Sequence, residues 1–214
     1  MLCSRWVSSG MTELEAELYA LTHRGNPGDV EFYARASSGA ARVLELGSGC
    51  GRLLPALSRS ARSVIGLDRE SWFLKAARSS IRRLGAEARG RVQLTRGDLR
   101  AFELGLQFDR ILLPYNTLYC LLNRRALAGC LRAVRSHLAP GGTFWFDVWC
   151  ADGFMRQPNA RARRDQREAL VSLLHRGQVW DVFERSRLRS AEQRLDVIYR
   201  YVSRQRGTAI ECSI

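Results

Sequence analysis

The chain has 214 residues, 46% of them hydrophobic, and a formal net charge of +13, a composition that predicts one globular domain over 1–214. No apolar run approaches the ~18 residues of a membrane helix, Met1–Gly10 lacks the apolar core of a signal peptide, and the six cysteines form no Cys-x-x-Cys pair. These features argue against a membrane partner, a metal site and a disulfide framework, so a cytoplasmic protein is expected.

Two helices are predicted before the first strand, as a helical cap over 11–40. Apolar residues recur at helical spacing after Thr12, which begins a capping box with Glu15. An Asn-Pro-Gly break at 26–28 ends this helix, and Asp29 is the expected N-cap of the next one.

A short apolar strand containing Glu45 then runs into three alternating glycines. The segment Val43–Arg52 reads VLELGSGCGR, which is typical of a strand, a tight turn and a helix start, because glycine adopts positive φ and admits a ligand close to the backbone. Arg52 stands where the dinucleotide fingerprint has its last glycine, and the segment has no lysine, which argues against NAD and against a P-loop. Glu45 suits an ammonium group and the helix-start amides suit a carboxylate, so the pattern favours a ligand derived from an amino acid.

Four further strands are predicted within a core at 41–150. Ser63–Asp68 ends in an acid about 20 residues after the glycines, where doubly wound nucleotide sites hold the ribose hydroxyls. Val92–Leu99 ends in Gly-Asp-Leu, Phe108–Thr117 ends in Pro-Tyr-Asn-Thr, and Gly141–Val148 is the fifth strand. The alternation of strands and helices predicts an α/β fold with a doubly wound, mainly parallel sheet.

Beyond residue 150 the apolar residues alternate instead. The stretches 178–184, 195–201 and, more weakly, 208–214 predict antiparallel, half-exposed strands in an extension over 151–214.

The glycine turn and the three strand ends that follow it resemble the motifs of the class I S-adenosylmethionine-dependent methyltransferases. The resemblance implies a Rossmann-like fold, S-adenosyl-L-methionine as the cofactor, and methyl transfer by in-line displacement to an N or O atom of a small molecule. It implies that Asp68 holds the ribose, that Asp98 meets the adenine amino group and that the Leu99 amide meets a ring nitrogen. The cofactor-binding residues that it implies are Tyr19, Tyr33, Glu45, Gly47, Ser48, Gly49, Gly51, Asp68, Arg69, Gly97, Asp98, Leu99 and Pro114. In the alternative interpretation each acid is a helix cap or a solvated loop residue, and each tyrosine is a core aromatic.

The N-terminal stretch 17–33 resembles the small-molecule, glycine N-methyltransferase-like branch of that family, and the corner after the fourth strand lies where the family places its methyl acceptor. Tyr115 and Asn116 are the residues that it implies for catalysis. That branch has a histidine shortly after its Asn-Ser pair, whereas Cys120 stands at the corresponding position here. The missing base favours an amine acceptor, or one activated by Tyr115 or His23. The identity of the acceptor, and the choice between N and O methylation, stay open.

Related small-molecule enzymes place antiparallel strands over the substrate pocket and then close the sheet with a helix and a β-hairpin. The C-terminal strands of this chain either serve as the sixth and seventh strands of the sheet or leave that ending missing, and we favour a truncated ending. An open edge of the sheet would favour self-association.

Two other functions are compatible with the sequence. Every basic residue except Lys75 is arginine, and a cluster at Arg161, Arg163, Arg164 and Arg167 would suit an RNA or protein methyltransferase. Nucleic acid is nevertheless disfavoured as a partner, because no aromatic residue interleaves the cluster. The missing histidine also allows a cofactor-binding scaffold without activity.

Overall fold

The computed structural model describes residues 12–150, 164–165, 168–189 and 192–213. The chain divides into two compact units. The parallel-sheet unit is Arg24–Trp149, and the antiparallel-sheet unit combines Met1–His23 with Cys150–Ile214. The two predicted cap helices form, and they fall into different units: α1 (Glu13–Thr22) into the antiparallel-sheet unit and α2 (Asp29–Ala36) into the parallel-sheet unit.

The parallel-sheet unit is built around five parallel strands in the order β3-β2-β1-β4-β5. The strands are β1 (Arg42–Leu46), β2 (Ser63–Asp68), β3 (Val92–Arg96), β4 (Phe108–Leu113) and β5 (Leu138–Phe146). The connecting helices are α3 (Leu54–Ser60), α4 (Ser71–Arg82), α5 (Ala86–Gly90), the short 3₁₀ helix Thr117–Cys120 and α6 (Arg124–His137). Since the strand order reverses between β1 and β4, the carboxyl ends of these two strands form the switch point where such sheets bind ligands.

The central strands β1, β2 and β4 are buried on both faces, which explains their nearly continuous apolar runs. Val43 of β1 and Leu112 of β4 pack into one cluster with Leu57 of α3. Their neighbours Leu44 and Ile111 pack into a second cluster on the opposite face. This alternation fixes the strand register, for example Leu44 against Ile65 of β2 and against Ile111 of β4.

The predicted start of α1 is confirmed, whereas the predicted N-cap of α2 is corrected. Thr12 and Glu15 form the predicted capping box at α1. The prediction that Asp29 caps α2 is wrong, because the N-cap is Gly28, with φ 80°. Asp29 is the first helical residue, and its carboxylate is drawn into an ion pair with Arg52.

The antiparallel-sheet unit contains the predicted C-terminal strands and two more. Its sheet has the order β10-β9-β8-β6, and β7 also pairs with β8. The strands are β6 (Arg164–Asp165), β7 (Val171–His175), β8 (Gln178–Arg189), β9 (Arg194–Ser203) and β10 (Ala209–Ser213). Leu18 of α1 packs with Trp180, Val182 and Tyr201 on one face of this sheet.

The alternative in which these strands complete the parallel sheet is wrong, since in the described part of the chain they pair with one another. Among those residues β5 pairs with β4 alone, and an open edge with self-association through it stays a prediction. No helix among the described residues has the length and apolar character that crossing a membrane requires.

Candidate active site

The glycine turn after β1 has three left-handed glycines that serve different purposes. Gly47, Gly49 and Gly51 have φ values of 68°, 53° and 78°. A Cβ on Gly47 would lie 2.5 Å from Thr117 Cγ2, and one on Gly51 would lie 3.0 Å from Ala77 Cβ. A Cβ on Gly49 would meet nothing within 4 Å. Packing therefore fixes Gly47 and Gly51, while Gly49 presents bare backbone to open space, as close approach of a ligand requires.

Asp68, at the end of β2, is held against this turn. Its Oδ2 accepts a hydrogen bond from the Gly49 amide at 2.8 Å, and its Oδ1 accepts one from the Glu70 amide at 2.9 Å. Burial raises the pKa of Asp68, and the two amide donors oppose that shift. A carboxylate has about four acceptor sites, so Asp68 is fixed in direction and still able to accept from two hydroxyls.

Two buried polar groups beside the turn have no partner within the described residues. Glu45 is 2% exposed, and its Oε2 accepts no hydrogen bond there. The Ser48 hydroxyl is also buried without a partner. Burial raises the pKa of Glu45 to about 8, since the opposing effect of Arg52 is smaller and Asp68 and Asp29 add to the rise. Orphaned buried groups are rare in proteins, and this pair fits a ligand that carries an ammonium group.

The loop after β3 holds the residues expected at the adenine. The Gly97 amide donates to the Asp68 carbonyl at 3.0 Å, and a Cβ on Gly97 would lie 2.9 Å from Leu67 Cδ1. Asp98 accepts hydrogen bonds from the backbone amide and the guanidinium of Arg100, and the Arg100 side chain is the main cause of its lowered pKa. Leu99 packs against the apolar cluster of the sheet. The Asp98 carboxylate thus stabilises its own turn, so its role at the adenine stays a prediction.

The β4 corner, Pro114–Thr117, has an unusual backbone. Tyr115 and Asn116 are consecutive left-handed residues, with φ values of 55° and 60°. The Thr117 hydroxyl donates to the carbonyl of the buried Pro114 at 2.5 Å, which tightens the corner. The corner also lies over the glycine turn, as the contact between Gly47 and Thr117 requires. The turn and the two residues expected at the acceptor therefore meet at one edge of the sheet.

Tyr33 is a core aromatic with a polar end. Its ring is 1% exposed and packs among the apolar residues of one sheet face. Its hydroxyl donates to Asp147 Oδ1 at 2.5 Å, and burial together with that carboxylate raises the pKa of Tyr33. Among the described residues Tyr33 therefore has the surroundings of a core aromatic. Its contact with the cofactor, the other interpretation, stays a prediction.

Three site residues were missed or undervalued from the sequence. Asp29 and Arg52 form a bidentate ion pair at 2.7 and 2.8 Å, and the Arg52 guanidinium lies 5.7 Å from the centre of the Tyr115 ring. Asp147 accepts from Tyr33 and from the Tyr115 amide, the latter at 2.7 Å. The available signal for Asp147 was its position at the carboxyl end of a strand, a position that Asp68 also has.

The remaining predicted residues have other surroundings. Arg69 is exposed and pairs with Glu70 at 3.2 Å. Tyr19 belongs to the antiparallel-sheet unit, where its ring stacks on His23 with the ring centres 3.9 Å apart. Arg161 and Arg163 lie outside the described residues, and Arg164 is described only as part of β6.

Comparison with known proteins agrees with this architecture. Residues 43–142 match a family described as a methyltransferase domain. No curated protein matches the chain in sequence.

Similar solved structures include the CcbJ methyltransferase from Streptomyces caelestis, with 24% identity, a TM-score of 0.70 and coverage of 88% of this chain and 77% of that one. CalS10 from Micromonospora echinaspora, an amino pentose methyltransferase, has 24% identity, a TM-score of 0.66 and coverage of 92% and 79%. KedS8 from Streptoalloteichus sp., a sugar N-methyltransferase, has 18% identity, a TM-score of 0.72 and coverage of 97% and 77%. At these identities the likeness concerns the fold.

The strand order, the glycine turn at the switch point and the sequence match over 43–142 agree with one another. The chain therefore has the Rossmann-like fold of the class I S-adenosylmethionine-dependent methyltransferases, and its residues 43–142 match the methyltransferase domain family.

Proposed function

We propose that the protein transfers a methyl group from S-adenosyl-L-methionine to an amine nitrogen of a small polar molecule. The observation that carries the proposal is Asp68, a buried carboxylate fixed by the Gly49 and Glu70 amides at the switch point, with acceptor capacity left for the ribose hydroxyls. The orphaned Glu45 oxygen supports the same ligand, because the methionine end of this cofactor carries an ammonium group.

The bound cofactor would supply an electrophilic methyl group on a sulfonium centre. The residues of the chain would orient the two reactants and exclude water, and orientation of this kind is worth about 7–11 kcal/mol of barrier. Gly49 and Asp68 would hold the cofactor, and the β4 corner would face the acceptor. Tyr119 and Trp149, both about half exposed and joined by a hydrogen bond, would offer the acceptor an aromatic wall near that corner.

An amine acceptor is favoured over a hydroxyl because an amine reacts without an enzymic base once it is neutral. The one histidine of the parallel-sheet unit is His137, whose Nε2 accepts from the Leu104 amide at 3.0 Å and whose ring packs near Phe108 at the start of β4. That is the opposite end of the strand from the β4 corner. Amino sugars are the acceptor class to test first, since CalS10 is named an amino pentose methyltransferase and KedS8 a sugar N-methyltransferase.

The proposal is tested by calorimetry with S-adenosyl-L-methionine and by methyl transfer to amino sugars, each paired with the sugar that has a hydroxyl in place of the amine. Asp68→Ala should weaken cofactor binding at least about tenfold, because charge-assisted hydrogen bonds worth roughly 1.5–3 kcal/mol are lost. Asp109→Ala is the matched control. Asp109 accepts a hydrogen bond from the Arg42 amide at 2.8 Å, at the amino ends of β1 and β4. Asn116→Ala should impair turnover without abolishing cofactor binding.

Each result has a definite meaning. Methylation of the amine but not of its hydroxyl partner supports the proposal, and methylation of the hydroxyl alone refutes the choice of acceptor atom. Activity that requires RNA and falls steeply with salt supports the RNA methyltransferase instead. Cofactor binding without transfer to any acceptor supports the inactive scaffold, and unchanged affinity in folded Asp68→Ala refutes the assigned site.

A further inference from the structure

We infer that Asp147 is a positioning residue for methyl transfer, which holds the β4 corner in its reactive shape and fastens the segment Asn26–Tyr33 to it. The inference rests on the proposed function and adds a residue to it. Asp147 lies directly after β5, beside the carboxyl end of β4.

The corner needs an external support because its backbone is strained. Tyr115 and Asn116 both adopt the left-handed region, which residues with a Cβ avoid. The other left-handed non-glycine residues in the described part of the chain are Arg176 and Gln193, and both lie in hairpin turns between adjacent strands. The β4 corner is no hairpin, so contacts from elsewhere in the fold must fix its conformation.

Asp147 and its neighbours supply these contacts. Asp147 Oδ1 accepts the Tyr115 amide at 2.7 Å, and the Asp147 carbonyl accepts the Asn116 amide at 3.3 Å. The Asn116 side-chain oxygen accepts the Trp149 amide in return. Both strained residues are thereby bonded to the chain that leaves β5.

The same carboxylate joins the corner to the N-terminal segment. Tyr33 donates its hydroxyl to Asp147 Oδ1 at 2.5 Å, and Asn26 Nδ2 lies 3.5 Å from Asp147 Oδ2. Asp29 of this segment clamps Arg52, whose guanidinium lies over the Tyr115 ring. Two carboxylates therefore connect the segment to the glycine turn and to the corner.

These bonds also define what Asp147 does. Three donors already occupy the carboxylate, and two of them share one oxygen. An oxygen engaged in this way is poorly suited to accept a proton from a substrate, so Asp147 acts through Tyr115 and Asn116. Asparagine at this position would keep the shape of the side chain but would remove the charge and turn one acceptor into a donor.

The test compares Asp147→Asn with Asp109→Asn. The Asp109 carboxylate also accepts a hydrogen bond from a backbone amide, but it lies at the amino ends of β1 and β4, away from the β4 corner. We measure kcat and KM for the amine acceptor, Kd for S-adenosyl-L-methionine by calorimetry, and amide hydrogen exchange of the ligand-free protein by mass spectrometry. In Asp147→Asn, kcat should fall roughly 10–100-fold, because small misplacements of reacting groups have effects of this size. The cofactor Kd should change less than about threefold, since Asp68 and the glycine turn are untouched.

Amide exchange at residues 115–117 should be faster in Asp147→Asn and unchanged in Asp109→Asn, which should also keep its kcat. Tyr33→Phe removes one donor and should lower kcat in the same direction by less, so it tests the inference if Asp147→Asn folds poorly. If the wild-type protein is active but neither Asp147→Asn nor Tyr33→Phe lowers kcat, the inference alone is overturned. The same holds if the amides of the β4 corner exchange no faster in Asp147→Asn than in Asp109→Asn. A wild-type protein that neither binds the cofactor nor methylates an acceptor overturns the proposed function, and the inference with it.

Discussion

Glu45→Gln should stabilise the ligand-free protein in a strongly pH-dependent way. The Glu45 carboxyl is fully enclosed, and its Oε2 has no hydrogen-bond donor among the described residues. Burial is the main reason that its pKa rises to about 8 from its ordinary value of 4.5. The unfolded chain therefore gives up this proton about 3.5 pH units earlier than the folded protein does.

The sign follows from proton counting. Between about pH 4.5 and about pH 8 the folded state holds a proton that the unfolded state has lost, so rising pH favours unfolding. At ~1.4 kcal/mol per pH unit, the free energy of unfolding falls by roughly 5 kcal/mol across this interval because of Glu45 alone. Below that interval Glu45 is protonated in both states, and its effect disappears.

Glutamine has the size of glutamic acid but does not titrate. The stability of Glu45→Gln relative to the unchanged protein should therefore rise by several kcal/mol between about pH 5 and about pH 8.5. Titrating groups that do not interact with Glu45 contribute equally to both proteins, so they cancel in this difference. For a chain of this length 1 kcal/mol moves Tm by ≈ 2–4 °C, which predicts a relative gain of roughly 10 °C.

Thermal unfolding followed by circular dichroism at the two pH values measures this difference. Glu31→Gln is the matched control, because Glu31 is exposed on α2, whereas Glu45 is enclosed. If Glu45→Gln shifts Tm by the same amount at both pH values, Glu45 is not held protonated in the fold and the reasoning is refuted.

Three further predictions concern ligands. Binding of S-adenosyl-L-methionine near pH 7 should release close to one proton from Glu45, because the ammonium group of the cofactor favours the ionised carboxylate. Calorimetry in two buffers of different ionisation enthalpy measures this release, and equal binding heats in the two buffers would disprove it. Asp98→Asn should weaken cofactor binding about tenfold yet change the unfolding free energy by less than ~1 kcal/mol, since its pair with Arg100 is partly exposed. A large loss of stability at unchanged affinity would instead identify Asp98 as a turn-stabilising residue. Changing Arg161, Arg163 and Arg164 together to Gln should leave turnover with a small acceptor nearly intact, and steady-state rates measured at low and moderate salt should agree; abolished activity would favour an RNA acceptor.

The parallel sheet and the end of it that binds ligands could both be predicted from local sequence patterns. Strands such as β1 and β2 are apolar on both faces, so their burial follows from composition without knowledge of their partners. The glycine turn and Asp68 were recognisable because each lies at a fixed distance along the chain from a strand end. The alternating C-terminal stretches were likewise recognisable as half-exposed strands, since their period is local.

Tertiary structure alone decided how the acceptor side of the site is built. Asp29 is a good helix cap by local rules, but Arg52, distant in sequence, takes its carboxylate and leaves the cap to Gly28. The left-handed backbone at Tyr115 and Asn116 depends on Asp147, which the chain supplies only after α6 and β5. Local sequence determines which backbone conformations are low in energy. A strained conformation persists only where groups distant in sequence stabilise it, and the fold decides which groups those are.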